Sequence, residues 1–439
     1  MKKNILPIFL CLLTLSCFGQ YSGQYEVAGG KGNPYPAKDD SGNDIQVYLM
    51  NGLDNAKITF ISTSSGTHQW YKYSEKANDG IAIPCQQAGN ISYITDISDG
   101  MGYYVGNPAN MSTSYVWIID YSRKVPVFNS LNIQESDDKC EMIELLIDIN
   151  ADKLQYYTPK GILSEVVRNY ILDYYTMKWS DENRMFMSLL KEEKISGNDL
   201  KYPIDINPAP LQNTKFTLSG DQFAEYFNIR QVIETEEYEA IAVLAEIITD
   251  SISNTSGNQM TGEDGSISAP VDFTFTAYAN EPVATFYTWK IYNLSRSETE
   301  PVSQTTNKIL YYSFEDAGHY KVELEVSDYR SICTYKTSPG DIIVSDFMLW
   351  IPNAFSPATS PGVNDIFRVA YKSVVKFNGW IYNRWGNEIF HWSDPSQGWD
   401  GKYRGKYVPP GVYFYVIEAT SANGKKHIRK GDVNIVGGK

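Results

Sequence analysis

Short β-prone runs cut by turn residues constrain this chain more than any other feature. From Ile45 onward, stretches such as 45–49, 57–61, 68–73 and 114–119 alternate with clusters of Gly, Asn, Asp, Ser and Pro. Runs of roughly four to eight residues are too short for ordinary helices and match strands of a pleated sheet. The 33 tyrosines and a 14% aromatic share strengthen that reading, because a ring packs on a half-buried sheet while its hydroxyl stays in water. At 439 residues the chain is longer than one core usually serves, so several all-β units in series are expected.

Residues 21–42 are rich in Gly, Pro, Lys and Asp and lack periodic apolar positions. They read as an extended lead-in, with ordered structure starting near Ile45. Residues 43–125 carry regularly spaced strand runs, with Trp70 in an early strand and Asp99, Gly100, Tyr103 and Tyr104 following later. That layout resembles the buried tryptophan and tyrosine corner of immunoglobulin-like β-sandwiches, without their paired cysteines. A second β-rich unit, expected to be a sandwich, occupies 126–250, with its clearest early strand at 142–149. Residues 163–175 fit a helix or two strands, and Val166, Val167, Tyr170, Ile171, Tyr174 and Tyr175 favour strands. Runs at 216–223 and 238–243 complete this unit.

Ser, Gly, Asn and Thr dominate 251–267, the clearest linker in the chain. Beyond it, 271–277 alternates with period two, Trp289 sits in a later strand, and Gly318, Tyr320 and Val322 open another. Residues 268–346 thereby resemble a PKD-type immunoglobulin-like domain, which implies a spacer or binding module. The fold expected is all-β: tandem immunoglobulin-like β-sandwich domains ending in a further small β-sandwich.

At the start, Lys2 and Lys3 precede an apolar run over 5–15, and Gly19 with Gln20 offers a small-residue cleavage point. This reads as a secretory signal peptide over 1–19. The run is shorter than the ~20 apolar residues a membrane span requires, so the mature chain is expected to have no span. A second reading makes Cys17 the lipidated first residue of a lipoprotein. Cys85, Cys140 and Cys333 fall in the body of the chain. Three widely spaced thiols specify no disulfide framework; one pair is open in an oxidising compartment, and buried unpaired thiols are the favoured expectation. A formal charge of −14 argues against nucleic-acid binding, which needs a basic face.

From Leu349 the runs shorten and a series of marked positions begins. Pro352, Asn353 and Phe355 come first, then Gly362, Asn364 and Asp365. Tyr382, Asn383, Arg384, Trp385 and Gly386 follow, then Trp399, Asp400 and Gly401, and finally Gly411 and Tyr413. In this order they resemble the type B C-terminal sorting domain, also called the gliding-motility-associated C-terminal domain, of proteins exported by Bacteroidota through the type IX secretion system. The resemblance covers about 349–437, and the family's Asn-Gly-Asp-Gly-like loop is replaced here by 358–362. It implies that 349–439 is a folded address handled by the type IX translocon, leaving the protein secreted or at the cell surface. The same residues also make sense as structure. Trp380, Tyr382, Phe390, Tyr413 and Tyr415 suit a core, Arg384 could stack on Trp385, and Asp400 with Gly401 signals a hairpin turn.

His68, His319, His391 and His427 stand in four separate places, and no Cys-x-x-Cys pair occurs, so no metal or cofactor site is expected. The acidic clusters at 135–138 and 234–239 lack EF-hand spacing and read as solvated faces or turns. No nucleophile elbow or phosphate-binding loop is present. The function expected is that of a noncatalytic exported protein, an adhesin or binder of an unidentified surface protein or glycan. Two alternatives stand beside it. One is an accessory subunit of the secretion or gliding apparatus, binding an outer-membrane barrel through the tail. The other is a carbohydrate-active enzyme in the N-terminal half, because two carboxylates placed in space suffice for glycoside hydrolysis.

Overall fold

The computed structural model describes residues 23–37, 45–63, 66–106, 114–134, 136–197, 200, 203–252, 259, 266–357, 359 and 362–437. The expected signal peptide with Gly19 and Gln20, and the alternative at Cys17, lie outside them. The described chain is nearly all β, arranged as successive sandwich-like units.

The first unit begins earlier than expected. Gly23–Ala28 pairs antiparallel with Lys57–Ser62, and Tyr25 is buried in the core while Val27 packs against it. The supposed lead-in therefore already contains a strand, whose inward residues are masked in a composition count by the Gly and Pro around them. In the facing six-stranded sheet, Tyr115–Asp120 runs parallel to Ile45–Met50 and antiparallel to Met101–Val105. All six of its residues are buried. A strand covered on both faces needs no polar alternation. Val116 and Ile118 face Ile58, Trp70 and Tyr103, whereas Tyr115, Trp117 and Ile119 join Leu154, Tyr156, Val166 and Phe223 of the second unit. The buried Trp70 indole donates to Ser92 Oγ at 2.8 Å, and the Tyr103 hydroxyl oxygen accepts the Ser98 N–H at 2.8 Å. Both rings thus keep a polar partner inside the sandwich.

In the second unit, residues 163–175 form two strands, Leu163–Val166 and the start of Asn169–Ser180, separated by Val167 and Arg168. A three-stranded sheet of Val127–Gln134, Ile143–Asn150 and Pro203–Ile206 faces a four-stranded one, in which Asn169–Ser180 lies between Met185–Ser196 and Thr217–Gly220. The run at 216–223 divides: after Thr217–Gly220, Asp221 caps the short helix Gln222–Tyr226 by accepting the N–H groups of Phe223 and Ala224 at 3.1 and 2.9 Å. The same carboxylate pairs with Arg168 and accepts from the Tyr121 hydroxyl of the first unit. All three side chains are fully buried. Arg168 also donates to the carbonyls of Lys124 and Asp152 at 2.6 and 2.8 Å.

The alternating run at 238–243 is not a strand of the second sandwich. It crosses between two cores, with Ala242 in the second and Ala240 and Val243 in the third. Ala245–Ile252 then pairs along its whole length with Val271–Ala279. The linker expected from Ser251 therefore opens inside a strand, and that strand belongs to the third unit's sheet. Trp289 is fully buried there, and Gly318–Asp328 lies between Ala284–Asn293 and Asp341–Ser345.

Cys140 and Cys333 form a disulfide, which corrects the expectation of unpaired thiols, and Cys85 is free. The two bonded residues are 193 apart in sequence and meet only because the second and third units dock. Buried Asn280 supports that junction. Its amide donates to the carbonyls of Leu211 and Ala242 at 2.8 and 2.9 Å, and its Oδ1 accepts the Leu244 N–H at 2.9 Å. Among the described residues no helix is long and apolar enough to cross a membrane.

Candidate recognition site in the C-terminal unit

The last unit is a five-stranded sheet ordered Ala354–Phe355, Lys426–Ile435, Gly411–Ser421, Val374–Tyr382 and Glu388–Trp392, with three short two-stranded ribbons beside it. Its core holds Phe355, Phe367, Phe377, Ile381, Trp392, Trp399, Tyr413, Ile417 and Val433. Of the core residues expected from sequence, Tyr413 is buried, whereas Trp380, Tyr382, Phe390 and Tyr415 are half-buried. Phe390 and Tyr415 still pack against this core. For Trp380 and Tyr382 the pleat is the reason, since alternate residues of Val374–Tyr382 point inward at Phe377 and Ile381, which turns Trp380 outward to stack on His391 with ring centroids 5.2 Å apart.

Most of the marked tail positions build this framework. Trp399 lies 5.4 Å from Phe355 and 5.3 Å from Tyr413, centroid to centroid. Its indole donates to the Lys402 carbonyl at 3.0 Å, and the Tyr413 hydroxyl donates to the Pro409 carbonyl at 2.9 Å. Gly401 has φ +76°, and a Cβ there would come within 2.7 Å of Pro357, so both backbone and space demand glycine. Pro352 is half-buried, and the carbonyl of exposed Asn353 accepts the Asn434 N–H at 2.9 Å. The Gly362 N–H donates to the Asp365 carboxylate at 3.0 Å, while Asn364 adopts φ +58° and its carbonyl accepts from Ser356. Gly411 opens the strand that carries Tyr413.

Arg384 and Trp385 are placed differently. Asn383 Oδ1 accepts the N–H groups of Trp385 and Asn387, each at 3.0 Å, and Gly386 has φ +79°, which ties the loop after Tyr382 tightly. On that loop the Arg384 guanidinium lies 4.2 Å from the centre of the Trp385 ring, as expected. The ring itself is 71% exposed. An indole left in water on a fully bonded loop serves no core.

Asp400 and Gly401 do not form a hairpin loop. They join one ribbon, Phe367–Arg368 with Gly398–Trp399, to another, Lys402–Tyr403 with Lys406–Tyr407. The hairpin loop is Arg404 with Gly405, at φ +51° and +81°, as a two-residue turn of the primed type requires. Register sets Lys402 opposite Tyr407 and Tyr403 opposite Lys406. Lys402 Nζ is 5.0 Å from the Tyr407 ring centre, and the Arg404 guanidinium is 5.2 Å from that of Tyr403. Sequence reasoning missed this ribbon, although alternation of cation and tyrosine around an Arg-Gly turn was a usable signal. Burial pushes the Tyr413 hydroxyl pKa up while the Arg384 charge pulls it back. Register sets Tyr382 opposite Phe414, so the Arg384 loop leaves the sheet next to Tyr413, whose ring packs on Trp399. The Trp399 indole in turn holds the Lys402 carbonyl at the start of the ribbon, and the two loops thus share one end of the unit.

Elsewhere, His68 hydrogen-bonds Ser92, His319 faces Asp341, and His427 stacks on Phe347. Among the described residues no group of three or more His, Cys, Asp and Glu side chains gathers to hold a metal ion. In the acidic run at 234–239, Glu239 pairs with Arg330 at 2.6 Å beside a cleft of about 440 Å³ between the second and third units.

Comparison with known proteins places these observations. The family described as the CHU_C type IX secretion signal domain matches 349–435, and a fibronectin type III family matches 132–235. Among curated proteins nothing matches significantly. Solved structures with a similar course include a tetra-tandem repeat from the extending region of a large adhesion protein, 10% identical with a TM-score of 0.21, covering 89% of this chain and 99% of that one. A structure concerning a 1.5-MDa bacterial ice-binding adhesin is 9% identical with a TM-score of 0.19, covering 70% and 97%. Dimeric latent PorU from Porphyromonas gingivalis is 13% identical with a TM-score of 0.17, covering 74% and 35%. None of these likenesses bears on what the chain binds. The framework of buried aromatics and left-handed turns over 349–435 is that of a type IX secretion signal domain, and the chain carries it behind a fibronectin type III domain.

Proposed function

We propose that this is a noncatalytic modular protein, exported across the outer membrane by the type IX machinery to work at the cell surface or beyond it through adhesion or ligand binding. The match of 349–435 to the secretion signal family carries the proposal. The second matched family is immunoglobulin-like rather than catalytic, which supports a binding role. The address works as a folded object, not as a linear tail, because Phe355, Trp399 and Tyr413 lie inside its core where no reader reaches them in the folded state.

Surface proteolysis of intact cells tests this. The full chain should be digested, the chain ending at Val344 should be protected, and a periplasmic marker should stay intact in both. Trp399→Ala, which removes a buried ring at a cost of about 3–5 kcal/mol, should behave like the truncation. Equal exposure of the full and truncated chains would overturn the reading.

A further inference from the structure

The charge of the chain is divided unevenly. Residues 349–439 hold twelve Lys and Arg against six Asp and Glu, a net +6, within a chain of net −14, which leaves −20 on the rest. Four of these cations stand at the end built by the two tied loops, and four more, Lys425, Lys426, Arg429 and Lys430, lie along the hairpin that turns at the far end of Gly411–Ser421; only the first group has exposed aromatic rings set among it. In that first group Arg384, Lys402, Arg404 and Lys406 stand beside Trp385, Tyr407 and Tyr403, which are 71%, 52% and 40% exposed. Two acids stand at the same end: Asp400, 2.9 Å from Lys402, and exposed Glu388, which closes the Arg384 loop opposite Tyr382.

We propose that this end binds an anionic polysaccharide. The exposed rings would lie on sugar faces, and the cations would pair with carboxylate or phosphate groups along the polymer. Cations alone would serve equally for an acidic protein; the three exposed rings interleaved with them favour a ligand with flat apolar faces. The upstream units, which carry a net negative charge, are repelled by the same polymer. Binding therefore orients the chain, with its basic end on the polymer and the acidic units projecting away. This goes beyond export, since the site is complete in the folded domain and needs no secretion partner.

Purified full-length protein, titrated with polygalacturonate and with neutral dextran at low and high salt, tests the idea apart from export. Polygalacturonate should bind, dextran should not, and affinity should fall about tenfold or more as salt screens the exposed cations. The triple variant Lys402→Gln, Arg404→Gln, Lys406→Gln should weaken binding by about tenfold. Trp385→Ala should weaken it while leaving the salt dependence unchanged. Trp385 and Arg404 are on exposed loops and Lys402 and Lys406 on the short ribbon beside them, outside the core, and unaltered thermal melting of the variants confirms the fold. Equal binding by the triple variant, equal binding of dextran, or no polymer binding at all would overturn the proposal. The last result, with an acidic protein captured by the same end, would assign the surface to a protein partner instead.

Discussion

Between the first and second units the chain buries Tyr121, Arg168 and Asp221 completely and runs one apolar core from Trp117 and Ile119 into Leu154 and Phe223. Between the third and fourth it relies on Ser373, whose hydroxyl accepts the Ala269 N–H at 3.0 Å and donates to the Ser345 carbonyl at 2.6 Å, and on Lys372 reaching Ser266 at 3.4 Å. The contrast is one of opening cost. Parting the first junction opens a shared apolar core and takes the Tyr121 hydroxyl and the Lys124 carbonyl away from the buried Arg168–Asp221 pair, whereas the hydrogen bonds of the last can be exchanged for water at little net loss. The second junction adds a covalent tie at Cys140 and Cys333. Buried contacts and a disulfide thus tie the units ahead of the secretion signal domain into one body, and the junction to that domain is the more polar one, with Ala422 packed against the third core beside it.

The sharpest way to break this comparison is Arg168→Ala. It leaves the Asp221 carboxylate buried beside Tyr121 without its cation, and should destabilise the N-terminal body by about 3–5 kcal/mol in urea unfolding. A loss near that of an exposed ion pair would mean that the first junction is no firmer than the last. Next comes the covalent tie: Cys140→Ser should cost about 2–4 kcal/mol, and non-reducing peptide mapping of the unaltered protein should recover the Cys140–Cys333 pair. Smallest is Ser373→Ala. It should cost about 1 kcal/mol and leave the N-terminal body's unfolding midpoint in place, while limited proteolysis releases the C-terminal domain faster. Matching losses from Ser373→Ala and Arg168→Ala would erase the distinction.

The strands were legible where one face is wet. Val271–Ala279 alternates buried and exposed as its residues alternate apolar and polar. Trp70 and Trp289 were readable as sandwich tryptophans, and both are fully buried. Legibility failed where two units share a residue run. The alternation at 238–243 arises from two different cores on either side of a crossing segment, which no single-strand period describes. It failed again at Trp380, because a pleat admits only alternate residues and Ile381 took the inward place. In the candidate site, the Arg384–Trp385 stack followed from adjacency, while the meeting of that loop with the Lys402–Tyr407 ribbon depended on Trp399 and Tyr413 joining distant segments.

By itself the sequence determined the all-β class and the position of the secretion signal domain, because these depend on local period and on motifs in a fixed order. Only the tertiary structure decided which cysteines pair, that Arg168 meets Asp221 and Tyr121, and that the Arg384 loop and the Lys402–Tyr407 ribbon share one end. Those contacts join residues tens to hundreds of positions apart, and what selects them is the docking of whole sheets, a quantity no local window of sequence contains.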